Sequence, residues 1–456
     1  MALKRNITFF VTTLVFLFFL MAGCGIYYYF PEPSLSPAPP LSSAISRALH
    51  YLDLTQVTPA QEDKTGRDFA GNWPQYFHVN QQPDIRIRDI SPFMATFIHH
   101  SLTHITSENQ PVLEILSADV EKAQKMRSAA ISLMRRFEAQ PRSHGAGTFG
   151  FWPSQEGSLN LNERLFSLFI QLQLKGPRLR GTRVPTNIDC FPPEFAIPHD
   201  ADSTSTVYAA LLESAKVDEE SLTDIHFERF FSDWRDLGHI PLRLNPKWLP
   251  PASGAFLTWL AYGFSQDRPV ENDVDLVVNA NVLFALARYG HLDIPGVEDA
   301  ITLINKATLA GYHNSEVDRI SDYYPNNFAF HYCVSRAYYE GPVPGLKPSV
   351  ERLADELEAS AKRNCEGAVF WNQGDPHLNT AFAILTLLNA GRNGFLVNAA
   401  VEYLESQQDP SFGNWKEAVF FIGRPESGLV IRWSSSALTT AIALEALCRY
   451  RLAQNN

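Results

Sequence analysis

The chain has 456 residues, 45% hydrophobic and 19% charged, which excludes wholesale disorder and leaves enough length for one large core or two ordinary ones. Its formal net charge of -11, with no run of basic residues, excludes a nucleic-acid binder, because phosphate contacts need clustered Lys and Arg. Aromatic residues make up 12%, with 31 Phe, 16 Tyr and 8 Trp. They either fill a large core or wall a cavity suited to an apolar chain, a carbocation or a sugar face.

The first residues, MALKRN, are basic, and residues 7–30, ITFFVTTLVFLFFLMAGCGIYYYF, carry no charge. That length suffices to span a bilayer as a helix. Lys4 and Arg5 would stay cytoplasmic, which puts the rest of the chain on the far side. LMAGC also reads as a bacterial lipoprotein box, with Cys24 as the lipidated first residue after cleavage. Residues 1–30 are therefore expected to be a transmembrane anchor or a lipoprotein signal. In both cases the main domain is membrane-tethered and extracytoplasmic, periplasmic or lumenal. Residues 31–43, PEPSLSPAPPLSS, read as a Pro/Ser-rich spacer, and residues 44–456 as the folded domain.

Beyond the spacer nearly every periodic segment has helical period, and strand alternation is scarce, so the expected class is all-α. Helices are predicted over residues 117–140, 161–174, 204–217, 276–290, 297–312, 326–340, 349–364, 378–391, 396–408 and 434–452. Two kinds alternate. Residues 349–364 are amphipathic and charged, whereas 378–390 and 437–447 are apolar all round and must be buried on every side. This alternation, at an interval of roughly 50 residues, predicts helical hairpins stacked around a centre as two concentric rings.

The linkers recur as well. SQQDPSFGNW carries Gln408, Gly413 and Trp415; AQPRSHGAGTFGFW carries Gln140, Gly150 and Trp152; FAGNW carries Gly71 and Trp73, and GAVFW is a looser copy. Glycine permits a tight bend after the outer helix and tryptophan packs back over it. On these loops and repeats the chain resembles the terpenoid cyclase and prenyltransferase superfamily, squalene cyclase-like, whose repeats end in Gln...Gly-x-Trp. The resemblance implies an α/α toroid. Its best unit is residues 400–447, from AVEYLESQQDPSFGNWKEAV to WSSSALTTAIALEAL, with EGAVFWNQGDPHLNTAFAILTLL second. The likeness spans most of residues 45–454 and is one of fold, and this fold hosts unrelated chemistries.

If the inner helices run parallel, the polar loops before them gather at one mouth. These loops are NLNER (160–164), HDADSTS (199–205), ENDVD (271–275), DYYPNN (322–327), GDPHLN (374–379) and RWSSS (432–436). Helix capping accounts for any single acid among them. Two loops double their acid, as Asp200/Asp202 and Asp273/Asp275, and Ser203 to Thr206 are available to cap the first of those helices. Two close carboxylates do not both ionise cheaply, and a proton held in an apolar pocket is what a general acid needs. The stretch DADST also resembles the Asp-x-Asp-Asp motif of class II terpene cyclases, whose middle acid protonates an alkene. That resemblance implies Asp202 as proton donor and Asp200 as its partner, with Ser203 standing where the motif has its third acid.

A travelling positive charge calls for rings. Tyr323, Tyr324 and Trp433, with Asp273 and Asp275, are the candidate substrate-binding residues, while Phe328 and Phe330 are assigned to core packing. The expected function is a membrane-tethered class II terpene cyclase-like enzyme, of isomerase or lyase type, acting on an isoprenoid or related lipid. Two alternatives stay open: an extracytoplasmic glycan-active enzyme pairing Asp202 with Asp273 or Asp275, and a non-catalytic binding protein of the same fold. An Asp-Asp-x-x-Asp cluster for class I chemistry, a Gly-x-Ser-x-Gly elbow and the zinc ligands of protein prenyltransferases are all missing from the sequence. His199 beside Asp200 could orient a carboxylate. The cysteines form no CxxC pair, so neither metal nor cofactor is expected, and their spacing leaves disulfides open.

Overall fold

The computed structural model describes residues 43–62, 69–79, 86–138, 147–151, 199–214, 227–242, 246–260, 272–315, 317–372, 374–423 and 430–455. The predicted anchor or lipoprotein signal, Cys24, the spacer and the predicted helix at 161–174 lie outside these residues. Among the described residues no helix is long and apolar enough to cross a membrane.

Among the described residues six helices are buried around nearly their whole circumference: α2 (Pro92–Leu102), α4 (Ala201–Glu213), α5 (Leu276–Arg288), α7 (Asn327–Tyr339), α9 (Pro376–Asn389) and α11 (Ser436–Gln454). Each packs on the next in that order, and α11 returns to α2, which closes a ring. Amphipathic helices cover it from outside: α1 (Ala44–Thr55), α3 (Ser117–Met134), α6 (Val297–Leu309), α8 (Lys347–Ser360) and α10 (Phe395–Ser406). Their apolar stripes face inward. On α8, Val350, Leu353, Ala354 and Leu357 are buried while Glu351 and Arg352 face water, the spacing of an i, i+3, i+4, i+7 face.

The inner helices run parallel, because side chains meet at both of their ends. At the N-terminal end Asn326 Nδ2 donates to Asn379 Oδ1, and Ser321 Oγ, before α7, donates to the α5 cap Asp275 (2.6 Å). At the C-terminal end Asn389 Nδ2 donates to Ser335 Oγ (3.2 Å), Arg449 donates to Asn389 Oδ1 (2.8 Å), and Glu213 meets His100.

The repeated linkers do in the structure what their residue types allow. The indole N–H groups of Trp73, Trp371 and Trp415 donate to the carbonyls of Leu52 (2.9 Å), Leu357 (3.0 Å) and Leu404 (2.8 Å), in the last turns of α1, α8 and α10. Each tryptophan thus fastens the loop to the last turn of the outer helix it follows. Gln408 Nε2 donates to Gly413 O and to Ala44 O, both at 2.8 Å, which fastens the last repeat to the first outer helix. Gly413 sits at φ +83°, and a Cβ there would lie 2.3 Å from Arg47 O. Gly413→Ala is therefore expected to cost about 2–5 kcal/mol from backbone strain plus overlap. Gly391→Ala, at φ +73° with open space around it, should cost only about 1–2 kcal/mol. Urea unfolding of the two variants side by side checks this.

Two expectations need correction. The chain is not purely helical. β1 (Gln75–Val79), β2 (Arg86–Asp89), β3 (Ala418–Gly423) and β4 (Ile431–Ser435) form an antiparallel sheet in the order β2-β1-β4-β3. The strand AVFFIG escaped recognition because Phe420, Phe421 and Ile422 are buried in succession, so the alternation of a half-exposed strand is absent. The ring is also completed by α2, which was not among the predicted helices. Its signal is Ser91-Pro92 ahead of an apolar run, proline being pre-organised for a first helical turn.

Candidate active site at the N-terminal end of the helix ring

The sheet lies across the N-terminal end of the ring. Ile422 N–H donates to Tyr323 O (2.7 Å), and the Phe420 ring packs on Phe93, Phe97, Tyr324 and Phe382. Beneath it α4, α5 and the loop before α7 bring the predicted acids and rings together.

Asp200 is the N-cap of α4. Its Oδ1 accepts from the Ser203 amide at 2.6 Å, so the cap is Asp200 itself, and Ser203 to Thr206 lie inside the helix. The other oxygen, Oδ2, is buried without a hydrogen-bond partner among the described residues, as is Ser203 Oγ. Asp202, two positions on, makes no cap bond. Its Oδ1 accepts from Asn281 Nδ2 at 2.7 Å and its Oδ2 accepts from the Tyr324 hydroxyl. Asn281 cannot turn its amide round freely, because Arg336 donates to its Oδ1 at 2.7 Å, which points the NH2 group at Asp202. Arg336, itself buried, lies over the rings of Phe97, Phe284 and Tyr332.

Burial pushes the Asp202 carboxyl up to about 7. The Tyr324 and Asn281 hydrogen bonds favour its anion and oppose that rise, while the charges of Asp200 and Asp275 add to it. Burial likewise raises Asp200 to about 7, against its bond from the Ser203 amide. The two acids therefore titrate together close to neutrality. Tyr324→Phe removes a donor to the anion, so the basic limb of any Asp202-dependent activity should move to higher pH. A pH–rate profile of the two proteins checks the direction.

The other predicted residues are placed differently. Asp275 caps α5, Oδ1 accepting from the Val277 (2.8 Å) and Val278 (3.1 Å) amides and Oδ2 from Ser321 Oγ (2.6 Å), the Asp322 amide (3.0 Å) and the Tyr323 amide (3.4 Å). Its oxygens thus hold the α5 start and the α7 loop in place. Burial raises it to about 6. Asp273 accepts from the Tyr323 hydroxyl at 2.5 Å, and the half-buried Tyr323 ring stands edge-on to Trp259. Trp433 lies within the sheet, its indole N–H donating to Asp89 Oδ2 (2.6 Å) and its ring stacked on Phe421 at 4.9 Å. His199 Nδ1 lies 2.6 Å from Thr148 Oγ1. Phe328 and Phe330 are buried, in core positions as assigned. Cys333, Cys365 and Cys448 are free thiols, and Cys190 lies outside the described residues.

Asn281, Arg336 and Phe420 were missed. The first two left a signal, since a polar Asn and an Arg stand inside the otherwise apolar helices LVVNANVLFALAR and NFAFHYCVSRAYY. A buried polar side chain needs a partner, and the partner here is the acid.

No family model matches the chain, and neither does any curated protein sequence. In fold, the chain is similar to a type II terpene cyclase. The solved structure of type II terpene cyclase MstE from Scytonema aligns with 90% of this chain and 98% of its own, at 14% identity and a TM-score of 0.49. A variant of MstE in complex with geranylgeranyl dihydroxybenzoate gives the same identity and TM-score, with 97% of that chain covered. A protein from Actinoplanes matches at 14% identity and a TM-score of 0.49, over 89% of this chain and 98% of that one.

Proposed function

We propose that the chain is a membrane-tethered, class II terpene cyclase-like enzyme that protonates an alkene of an isoprenoid or related lipid, with Asp202 as the proton donor. The observation that carries this reading is the Asp202 carboxyl itself. It is buried, poised near neutrality, and clamped between Asn281 and Tyr324, whose own ring packs against Phe93 and Phe420. The proton leaves the carboxyl oxygen for an alkene carbon, giving a carbocation and a carboxylate. The carboxylate keeps the two donors that favour it, and the rings offer negative faces to the cation. Loss of a proton or capture of water ends the reaction. Asp200, as the partner acid, disfavours ionisation of Asp202 and so keeps its proton available. Tyr323 and Asp273, linked to each other, are the next residues proposed to meet substrate.

The tether rests on the uncharged stretch at residues 7–30, whether it is retained as an anchor or cut at Cys24. A glycan-active site that pairs Asp202 with Asp275 would need a free second carboxylate, and the oxygens of Asp275 are committed to the α5 cap and the α7 loop. The deciding experiment is untargeted lipid extraction from cells with and without the gene. An unchanged profile of isoprenoid and lipid-linked products sinks the proposal.

A further inference from the structure

We propose that the opposite, C-terminal pole of the ring is a structural metal site of zinc type, built from His100, His104, Glu340 and Glu445. One nitrogen or carboxylate oxygen from each of the four lies within 4.8 Å of the others. They come from three inner helices: His100 from the last turn of α2 with His104 just beyond it, Glu340 from the C-terminal end of α7, and Glu445 from within α11. Nε2 of His100 and Nε2 of His104 are both buried, and neither makes a hydrogen bond among the described residues. A buried ring nitrogen without a hydrogen bond is costly, and two such imidazoles grouped with two carboxylates call for a shared partner.

Two of the separations can be set against those of ligands around one ion. His100 Nε2 stands 3.4 Å from Glu340 Oε2 and 4.0 Å from Glu445 Oε1. Nitrogen and oxygen bound to zinc at about 2.0–2.2 Å in a tetrahedral array lie about 3.3–3.5 Å apart. The first separation already fits, and the second closes with a movement of about half an ångström.

The groups behind these four hold them in ligating positions. His100 Nδ1 lies 2.7 Å from Glu213 Oε1, the carboxylate–histidine pairing that fixes the tautomer and leaves Nε2 as the donor to a metal. Glu340 receives Arg449 on Oε1, which leaves Oε2 facing His100. Glu445 is anchored by the Tyr332 hydroxyl (3.0 and 3.1 Å to its two oxygens) and by Ser101 Oγ (2.8 Å). The C-terminal ends of α2 and α7 add negative partial charge, which favours a cation here as surely as the N-terminal ends favour Asp200 and Asp275. Two nitrogens and two oxygens suit Zn2+, with Co2+ as its spectroscopic substitute, and four protein ligands leave no open position for chemistry. The ion would tie α2, α7 and α11 together at the pole remote from Asp202.

The test uses the full-length chain purified without metal-charged resin, dialysed against a chelator and then titrated with Zn2+. Expected are one zinc per chain by elemental analysis, a thermal midpoint that rises with zinc, and a four-coordinate visible spectrum once Co2+ is loaded into the wild-type protein. His104→Asn should weaken zinc binding by roughly tenfold or more with unchanged far-UV circular dichroism, and Glu213→Gln by about 10–100-fold. His313→Asn, in a second group formed with His331 and Glu356, should leave zinc binding unchanged. Folded wild-type protein that takes up no metal overturns the proposal, and makes His100 a protonated bridge between Glu213 and Glu340. Binding that survives His104→Asn but is lost in His313→Asn overturns it equally.

Discussion

Replacing Asp202 by Asn is expected to abolish the proposed cyclase activity and at the same time to stabilise the fold at alkaline pH. The amide has no proton to give, so the loss should reach at least about 10^2–10^4-fold, the range that general acids contribute. The stability effect follows from linkage. A carboxyl raised by burial to about 7 binds its proton more tightly in the folded chain than in the unfolded one. Its folded state is therefore favoured below about pH 4, loses stability as pH rises through the interval up to about 7, and stays at the lower level above. For a rise to about 7 from the ordinary carboxyl value of 3.8 the loss is on the order of 4 kcal/mol. Asn at this position mimics the protonated carboxyl and avoids that loss. Thermal midpoints measured from pH 4 to pH 8 should diverge in favour of Asp202→Asn above neutrality and converge in acid. A variant that keeps forming product, or one that is less stable than wild type at pH 8, contradicts the assignment of Asp202 as a buried proton donor.

Truncating Phe420 to Ala should destabilise the chain by about 3–5 kcal/mol, as expected for emptying a fully buried aromatic site. Phe420 touches rings from α2, from α9 and from the loop before α7, so its loss opens space at the closed end of the ring. It stacks on Phe93 at 5.9 Å and meets Tyr324 edge-on at 5.7 Å, and Tyr324 is the donor to Asp202. The chemistry should respond too. Phe420→Leu, which keeps most of the volume, is expected to fold and, on the proposed cyclase function, to shift the distribution of cyclised products, because Phe420 packs on Tyr324. Denaturant titration reads the first effect and product analysis the second. A Phe420→Ala chain as stable as wild type would mean that the sheet does not plug the ring.

Much of the architecture is legible in the residues because it depends on local periodicity. The apolar run LNTAFAILTLL can only be buried all round, and SVERLADELEAS can only face water on one side, so an inner and an outer layer follow from the pattern alone. The recurrence of Gly-x-Trp likewise follows from local need. A glycine turns the chain after an outer helix, and an indole N–H reaches back to a carbonyl in that helix's last turn. The doubled acids at 200 and 202 stand out for a similar reason, since a cap needs one carboxylate and the second is surplus.

What the sequence by itself determined, then, is the helical repeat, the two layers, and a surplus of acid at 200/202 and 273/275. Only the tertiary structure decided which surplus acid is free and which is committed. Asp275 looks in sequence like Asp202, yet its oxygens are taken by a helix start and by the α7 loop, a segment nearly fifty positions away. Asn281 and Arg336, which hold Asp202 in place, lie on two further helices. The β3 strand hid its own character because burial on both faces erases alternation. These are contacts between distant parts of the chain, set by how the ring closes, and no window of neighbouring residues contains them.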